Sequence, residues 1–422
     1  MRLTYPLKPI SHAVSTESPS LFMTPGFSPW ASNGRIEQKS FKKRPGYLID
    51  RAVGRFIYGV HLFQTLVGSR YTLYLTDTDL AKKETGTGET FSYVTKTYTT
   101  GTVSGVSGAN VTGNGTAWDT NAKAGDKFIM AADLSANVEP DEHWATIQTV
   151  GGATAITLSG NYAGATTTGN YIIRRVYSVP TDERWSTAIL DDKFIFTNGN
   201  VNVQYYNGSG AAADLDATYA VKARFCIEYA NRLFLGDYED SVAGRLPTSI
   251  RWSKEGDPTT WVDSTAGELD LIETEDFLAG LGKVGTYLVI YKRDNIHVYT
   301  RTGVATNPIT LVAQRRGIGC AAPYSIIEFM GTNAFVGRDD FYMMNGDTPI
   351  PIGEKIRTKF FDITPVTAVG NVWGAHDPLR NELLWTASTL AGKYAFVYNY
   401  KHNEWYTYEF PDDMTAFGRG AL

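Results

Sequence analysis

Cysteine is nearly absent: the 422 residues contain two, Cys226 and Cys320. Two thiols in so long a chain do not make a disulfide framework. Both sit in apolar surroundings, RFCIEY and GIGCAAP, where a thiol serves as a small hydrophobe. No stretch approaches the roughly eighteen consecutive apolar residues of a membrane-spanning helix, so no membrane insertion is expected. The opening MRLTYPLKPISHAV lacks the apolar core of a secretory signal, which leads to an expectation of synthesis and assembly in a cytoplasm. A basic excess is missing too. Lys and Arg number 39 against 44 Asp and Glu, for a net charge of −5, whereas a general nucleic-acid binder carries a basic surface. The six histidines, His12, His61, His143, His297, His376 and His402, are scattered and form no metalloprotease pair or zinc cluster. A Gly-Lys-Ser/Thr phosphate loop and a Gly-x-Ser-x-Gly elbow are both missing. These absences name no catalytic, cofactor or metal residue, and the expectation is a non-enzyme without a cofactor.

What the chain does have is tyrosine, 25 residues, and glycine, 41 residues. Tyr suits strands because it buries a ring and keeps a polar tip. Both are spent on one repeated unit. In TYLVIYKRDNIHVYTRT, Thr286–Thr302, the run Tyr287–Tyr291 meets a polar break at Lys292-Arg293-Asp294-Asn295. An alternating run follows, with Ile296, Val298 and Thr300 on one face and His297, Tyr299 and Arg301 on the other. Two β-rich runs around an Asp-Asn break predict a hairpin, since both residues tolerate left-handed backbone angles. The unit recurs at Arg55–Leu75, Lys193–Tyr206, Arg232–Trp252, Ala334–Met344 and Tyr394–Tyr408. In Arg232–Trp252 the strands RLFLG and SIRW flank a polar excursion. Repetition at roughly 40–60 residues in an all-β chain predicts a β-propeller of about six blades, or a sandwich array, each hairpin at the centre of a blade.

Four segments follow. Residues 1–50, punctuated by proline, read as an extended N-terminal arm, with Gly46–Asp50 a candidate strand completing the last blade. Residues 51–97 are a first propeller segment. Residues 98–176 change texture to Gly, Thr, Ser and Ala, and their five short strands predict a small inserted β-barrel or sandwich. Residues 177–422 hold the remaining blades, with Pro411–Leu422 expected to end exposed. Two charge clusters stand out. Lys39, Lys42, Lys43 and Arg44 could touch phosphates, or form a solvated turn or a contact with an acidic neighbour. Glu268, Asp270, Glu273, Glu275 and Asp276 form an acidic loop between blades. Hard cations take oxygen ligands, but the spacing matches no calcium-binding loop, which favours a solvated loop or a subunit contact. Asp339-Asp340 reads as turn chemistry rather than as a catalytic acid pair. Ser253-Lys-Glu-Gly256-Asp257-Pro258-Thr-Thr-Trp261 resembles the Asp-box of sialidases, with Glu255 where the box has Asp and its glycine displaced. Even a full box is structural: its Trp packs and its polar groups pin a turn.

The order of motifs carries a wider resemblance. Asn33-Gly-Arg-Ile-Glu-Gln38 and Arg44-Pro-Gly-Tyr47 lead to RLFLG and RWSKEGDPTTW. The acidic loop then runs into YLVIYKRDNIHVY, followed by Arg316-Gly-Ile-Gly-Cys320-Ala-Ala-Pro-Tyr-Ser325 and by Gly337-Arg-Asp-Asp-Phe-Tyr342 with Asn345-Gly346. Over most of residues 33–410 this resembles the tail nozzle or hub proteins of short-tailed bacteriophages, and Gly101–Gly164 resembles a β-module inserted into many phage structural proteins. The resemblance implies a propeller, a homohexameric ring around a central DNA channel, and no enzymatic activity. It further implies a virion protein of the phage tail, assembled in the bacterial cytoplasm. The adaptor (head-to-tail connector) and tail fibres or tailspikes would be its partners, with non-specific double-stranded DNA in the lumen. The acidic loop is then a candidate for a DNA-channel or subunit-contact element. A carbohydrate-binding or glycoside-cleaving β-propeller is the alternative.

Overall fold

The central hairpin forms in the expected register. Tyr287–Lys292 pairs antiparallel with Asn295–Val304, Tyr287 opposite Thr300 and Tyr291 opposite Ile296. Its two faces are buried in different cores. Ile296 and Val298 pack with Phe335 and Tyr342 on one side, and Tyr299 packs with Phe234 and Trp252 on the other. A strand buried on both faces is what a blade between two blades requires.

The computed structural model describes residues 34–37, 40–43, 56–84, 91–134, 143–180, 182–274, 276–410 and Ala416. Six four-stranded antiparallel sheets follow one another along the chain. Blade 1 is Ile57–Gln64, Arg70–Thr76, Leu80–Glu84 and Phe91–Tyr93; blade 2 is Ser186–Leu190, Lys193–Thr197, Gln204–Tyr206 and Ala213–Asp214. Blade 3 is Lys222–Tyr229, Arg232–Asp240, Gly244–Trp252 and Gly267–Asp270; blade 4 is Leu278–Val284, Tyr287–Lys292, Asn295–Val304 and Asn307–Arg316. Blade 5 is Ile327–Phe329, Thr332–Val336, Phe341–Asn345 and Thr348–Pro351; blade 6 is Trp373–Asp377, Glu382–Thr389, Gly392–Asn399 and Glu404–Phe410. The first strand of each blade faces one axial cavity, so the sheets form a six-bladed β-propeller with first strands innermost and fourth strands on the rim. The repeated hairpin is not always central. It joins strands two and three in blades 2 to 5, but one and two in blade 1 and three and four in blade 6.

Hydrophobic clusters cement successive blades: Phe63 and Leu73 with Phe194 and Tyr206, Ile195 with Leu233 and Leu235, and Val336 and Phe341 with Trp385 and Trp405. Close approach of the inner strands requires glycine. A Cβ at Gly374 of blade 6 would lie 2.8 Å from the Ser325 carbonyl oxygen, and one at Gly282 of blade 4 would strike the Asn333 amide of blade 5. Both cysteines are buried, and burial pushes their thiols up to about 12, far from reactivity at neutral pH.

Between blades 1 and 2 the chain makes a seven-stranded sheet from Thr97–Tyr98 to Tyr171–Arg174, two strands more than the sequence texture suggested. The two end segments pair with each other, Tyr98 opposite Ile173, and a bridge from Val103 to Gly169 curls the sheet back on itself. Val103, Trp118, Phe128, Ile147, Ile156 and Tyr171 give it a core of its own. Arg174 anchors it to blade 1 through an ion pair with Asp79 and by lying over the Tyr93 ring.

The N-terminal hairpin, Gly34–Glu37 with Ser40–Lys43, runs beside the rim strand of blade 6. The candidate strand Gly46–Asp50 lies outside the described residues, as does all of Pro411–Leu422 except Ala416. That residue is half-buried on the wall of the axial cavity, not exposed as expected.

Candidate functional site

The acidic segment does not form one loop. Glu268 and Asp270 stand on the rim strand of blade 3. Tyr238 donates to Glu268 at 2.9 Å and Arg251 pairs with it at 3.3 Å, while Thr248 and Ser249 donate to Asp270 at 2.8 and 3.0 Å. Glu273 is exposed, and Glu275 lies outside the described residues. Asp276 turns inward to Lys292, a side chain with no exposed surface. The Lys292 ammonium donates to the carbonyls of Leu271 and Thr274, both at 2.8 Å, and to the Thr274 hydroxyl at 2.6 Å, and pairs with Asp276 at 3.2 Å. Asp276 also accepts from the Asp294 N–H at 2.8 Å and from Asn295 at 3.1 Å. Asp276 is thus a latch holding the blade 3–4 connection onto the central hairpin, whereas Glu268 and Asp270 of the rim strand and Glu273 of the connection are exposed. Among the described residues no group of His, Cys, Asp and Glu could hold a metal ion.

Of the basic cluster, Lys42 and Lys43 fall in the second strand of the N-terminal hairpin; Lys39 and Arg44 lie outside the described residues. The Asp-box-like segment folds a turn: Ser253 accepts from the Leu233 N–H at 3.1 Å, Asp257 accepts from Thr259 and Thr260, and Trp261 is buried among blades 2 and 3. Asp340 is likewise structural, accepting from the Phe341 N–H and pairing with Arg357 at 2.9 Å.

A site that the sequence did not disclose lies on the propeller axis. The inner strands of all six blades enclose a cavity of about 620 Å³. Near the starts of these strands Arg224 of blade 3 grips Glu183 through two contacts of 3.0 Å, and the Tyr324 hydroxyl donates to the same carboxylate. Glu183 leads into blade 2 and Tyr324 into blade 5, so this web bridges the axis. Beside it Arg184 lies over Tyr58 of blade 1, 4.7 Å from the ring centre. Near the strands' other ends, Glu228 pairs with Lys283 at 3.3 Å. Glu328 opens onto the cavity and makes no hydrogen bond or ion pair among the described residues. Enclosure by the surrounding strands pushes its carboxyl above the usual range; Lys283 opposes this and Glu228 adds to it. His61, on the wall at blade 1, is held down to about 4 by burial, which keeps its imidazole neutral at pH 7. These residues come from blades far apart in sequence, and only the alternation of each inner strand could have pointed to them.

No family model matches the chain, and no curated protein matches it. Many solved structures resemble it at low identity. Hsv2 of Kluyveromyces lactis is 10% identical over 85% of this chain and 99% of that one, with a TM-score of 0.35. A virginiamycin B lyase from Staphylococcus aureus is 11% identical over 79% and 92%, with a TM-score of 0.33. The endosialidase of phage phi92 is 11% identical over 83% of this chain and 56% of its own length, with a TM-score of 0.26. Likeness at this level carries no argument about activity.

Proposed function

We propose that the chain is a virion structural subunit, one copy in a homohexameric tail nozzle or hub of a short-tailed phage. Six propellers would stand in a ring around the DNA exit path. The ring would join the adaptor and the tail fibres or tailspikes, and retain and then release the genome. The observation that carries this reading is the order of motifs through residues 33–410, supported by Glu268 and Asp270 on the rim strand of blade 3. The lumen of such a ring would be bounded by blade rims, because the axial cavity of one propeller, about 620 Å³, has room for a small molecule and not for a duplex. Glu268 and Glu273 suit either a lumen wall, where like charge repels phosphate and centres the DNA, or a contact with a neighbouring copy. A mildly acidic wall lets a duplex slide, whereas many Lys and Arg contacts to phosphate would hold it.

Paired reversal, Glu268→Lys with Glu273→Lys, separates the two placements and leaves the Asp276 latch intact. With the rim on the lumen, rings still form and DNA release slows several-fold, the delay shrinking at high salt. With the rim at a subunit contact, rings fail to assemble. Normal rings with unchanged release kinetics would contradict both. A carbohydrate-binding or glycoside-cleaving propeller is the second reading, favoured by the carboxylates Glu228 and Glu328 at one end of the axial cavity; cleavage would require both to reach one glycosidic bond.

A further inference from the structure

The axial cavity has no part in ring assembly as proposed above, yet its size and lining are those of a ligand site. Its volume of about 620 Å³ falls in the range of small-molecule pockets, roughly 300–1,000 Å³. Its wall mixes apolar surface with polar groups of both signs. Tyr58, Phe225 and Trp373 contribute rings, Arg184 a cation, and Glu328 and His61 acceptors. His61 touches the Phe194 ring but, like Glu328, forms no hydrogen bond among the described residues, so both retain bonding capacity toward the cavity.

We propose that this cavity binds a small hydroxyl-rich molecule, a mono- or disaccharide, whose hydroxyls donate to the Glu328 carboxylate and the His61 imidazole while its C–H faces lie against the aromatic wall. The charge distribution selects against the alternatives. An anion would meet Glu328, and the guanidinium that could hold it, Arg184, lies over Tyr58 and already donates to the Glu183 carbonyl at 2.7 Å. A polycation would meet Arg184 at one end and Lys283 at the other. A neutral polyol pays no charge-desolvation penalty in a partly enclosed site, and each unbonded acceptor rewards a matching hydroxyl. Because burial keeps His61 uncharged down to about pH 4, its accepting nitrogen persists throughout the neutral range. The site rests on the carbohydrate-binding reading given above and is independent of the ring reading: a hub subunit and a monomeric propeller could each carry it.

The test uses the full chain at pH 7, with galactose, N-acetylglucosamine and maltose as probes and spermidine and citrate as charged controls. Binding is read by saturation-transfer NMR and calorimetry. At least one saccharide should bind with a millimolar or tighter dissociation constant. Glu328→Ala and His61→Ala should each weaken it about ten-fold, equivalent to 1.4 kcal/mol. Ala375→Trp, which fills the cavity from the inner strand of blade 6, should abolish it. Three separate variants, each checked for a cooperative melt, keep the test readable if one fails to fold. The proposal is overturned by absence of saccharide binding to the unmodified chain up to about 50 mM. It is equally overturned by binding that survives the variants that fold, or by preference for spermidine or citrate.

Discussion

Lys292→Ala is expected to destabilise the chain by about 3–5 kcal/mol, read as a lower denaturant midpoint with an unchanged slope. The ammonium is fully buried and holds two carbonyls, a hydroxyl and a carboxylate of the segment linking blades 3 and 4. Truncation leaves the Leu271 and Thr274 carbonyls without their donor and strands the charge of Asp276, the costlier half of breaking a buried pair. The same latch makes a pH prediction. Burial raises the Asp276 carboxyl, but hydrogen bonds from Thr274, the Asp294 N–H and Asn295, with Lys292 beside it, hold it at about 2 against an ordinary 3.8. A folded pKa below the unfolded one stabilises fully above the unfolded value, and that stabilisation disappears as pH falls from about 4 toward 2. Unfolding midpoints of the unmodified chain should drop across that window, and less steeply in Lys292→Ala. A loss below about 1 kcal/mol, the value of an exposed pair, would show that Lys292 is not the buried latch described.

Trp385→Ala should cost a similar 3–5 kcal/mol or so, by a different mechanism. Trp385 has no exposed surface; its ring stacks on Trp405 at 5.6 Å within blade 6 and lies 5.0 Å from Phe341 of blade 5. Its Nε1–H donates to the Ser325 carbonyl at 2.9 Å, at the start of blade 5. The side chain therefore joins two blades by packing and by one directional bond. Trp385→Phe keeps most of the packing and removes the donor, so it should cost about 1–3 kcal/mol. The difference between the two variants, taken from chemical unfolding, apportions cavity and hydrogen bond. Near-identical small losses would mean that blades 5 and 6 are not joined through this side chain.

The hairpins were legible because two signals coincide there: β-rich runs buried on both faces, and a short polar break that fixes register. Lys193–Tyr206 and Ala334–Met344 are legible this way, and both form paired hairpins. Where one signal fails, the reading fails. The polar stretch after RLFLG looked like an excursion between strands, yet strand continues through Asp240. Asp237 sits there at a bulge with φ of 50°, buried and paired with Arg245 at 2.7 Å, and such a bulge breaks the period-two pattern that marks a strand. Short rim strands such as Ala213–Asp214 carry too few residues to show any period. The acidic run was legible as composition but not as roles. Asp276 differs from Glu273 because Lys292, the Asp294 N–H and Asn295 of the central hairpin close on it. The axial web of Glu183, Arg224 and Tyr324 spans 141 residues, and a single sequence contains no local mark of such a meeting.

In the proposed assembly, six-bladed subunits join edge to edge around a lumen that belongs to the ring and not to the propeller. Electron microscopy of the purified full-length assembly, classified by symmetry, tests it most directly. Six-fold rings are expected, in which each subunit shows a six-bladed disc with a narrow axis, set around a wider common opening. A population of single propellers at every concentration examined, or rings whose central opening is the axis of one propeller, would contradict it.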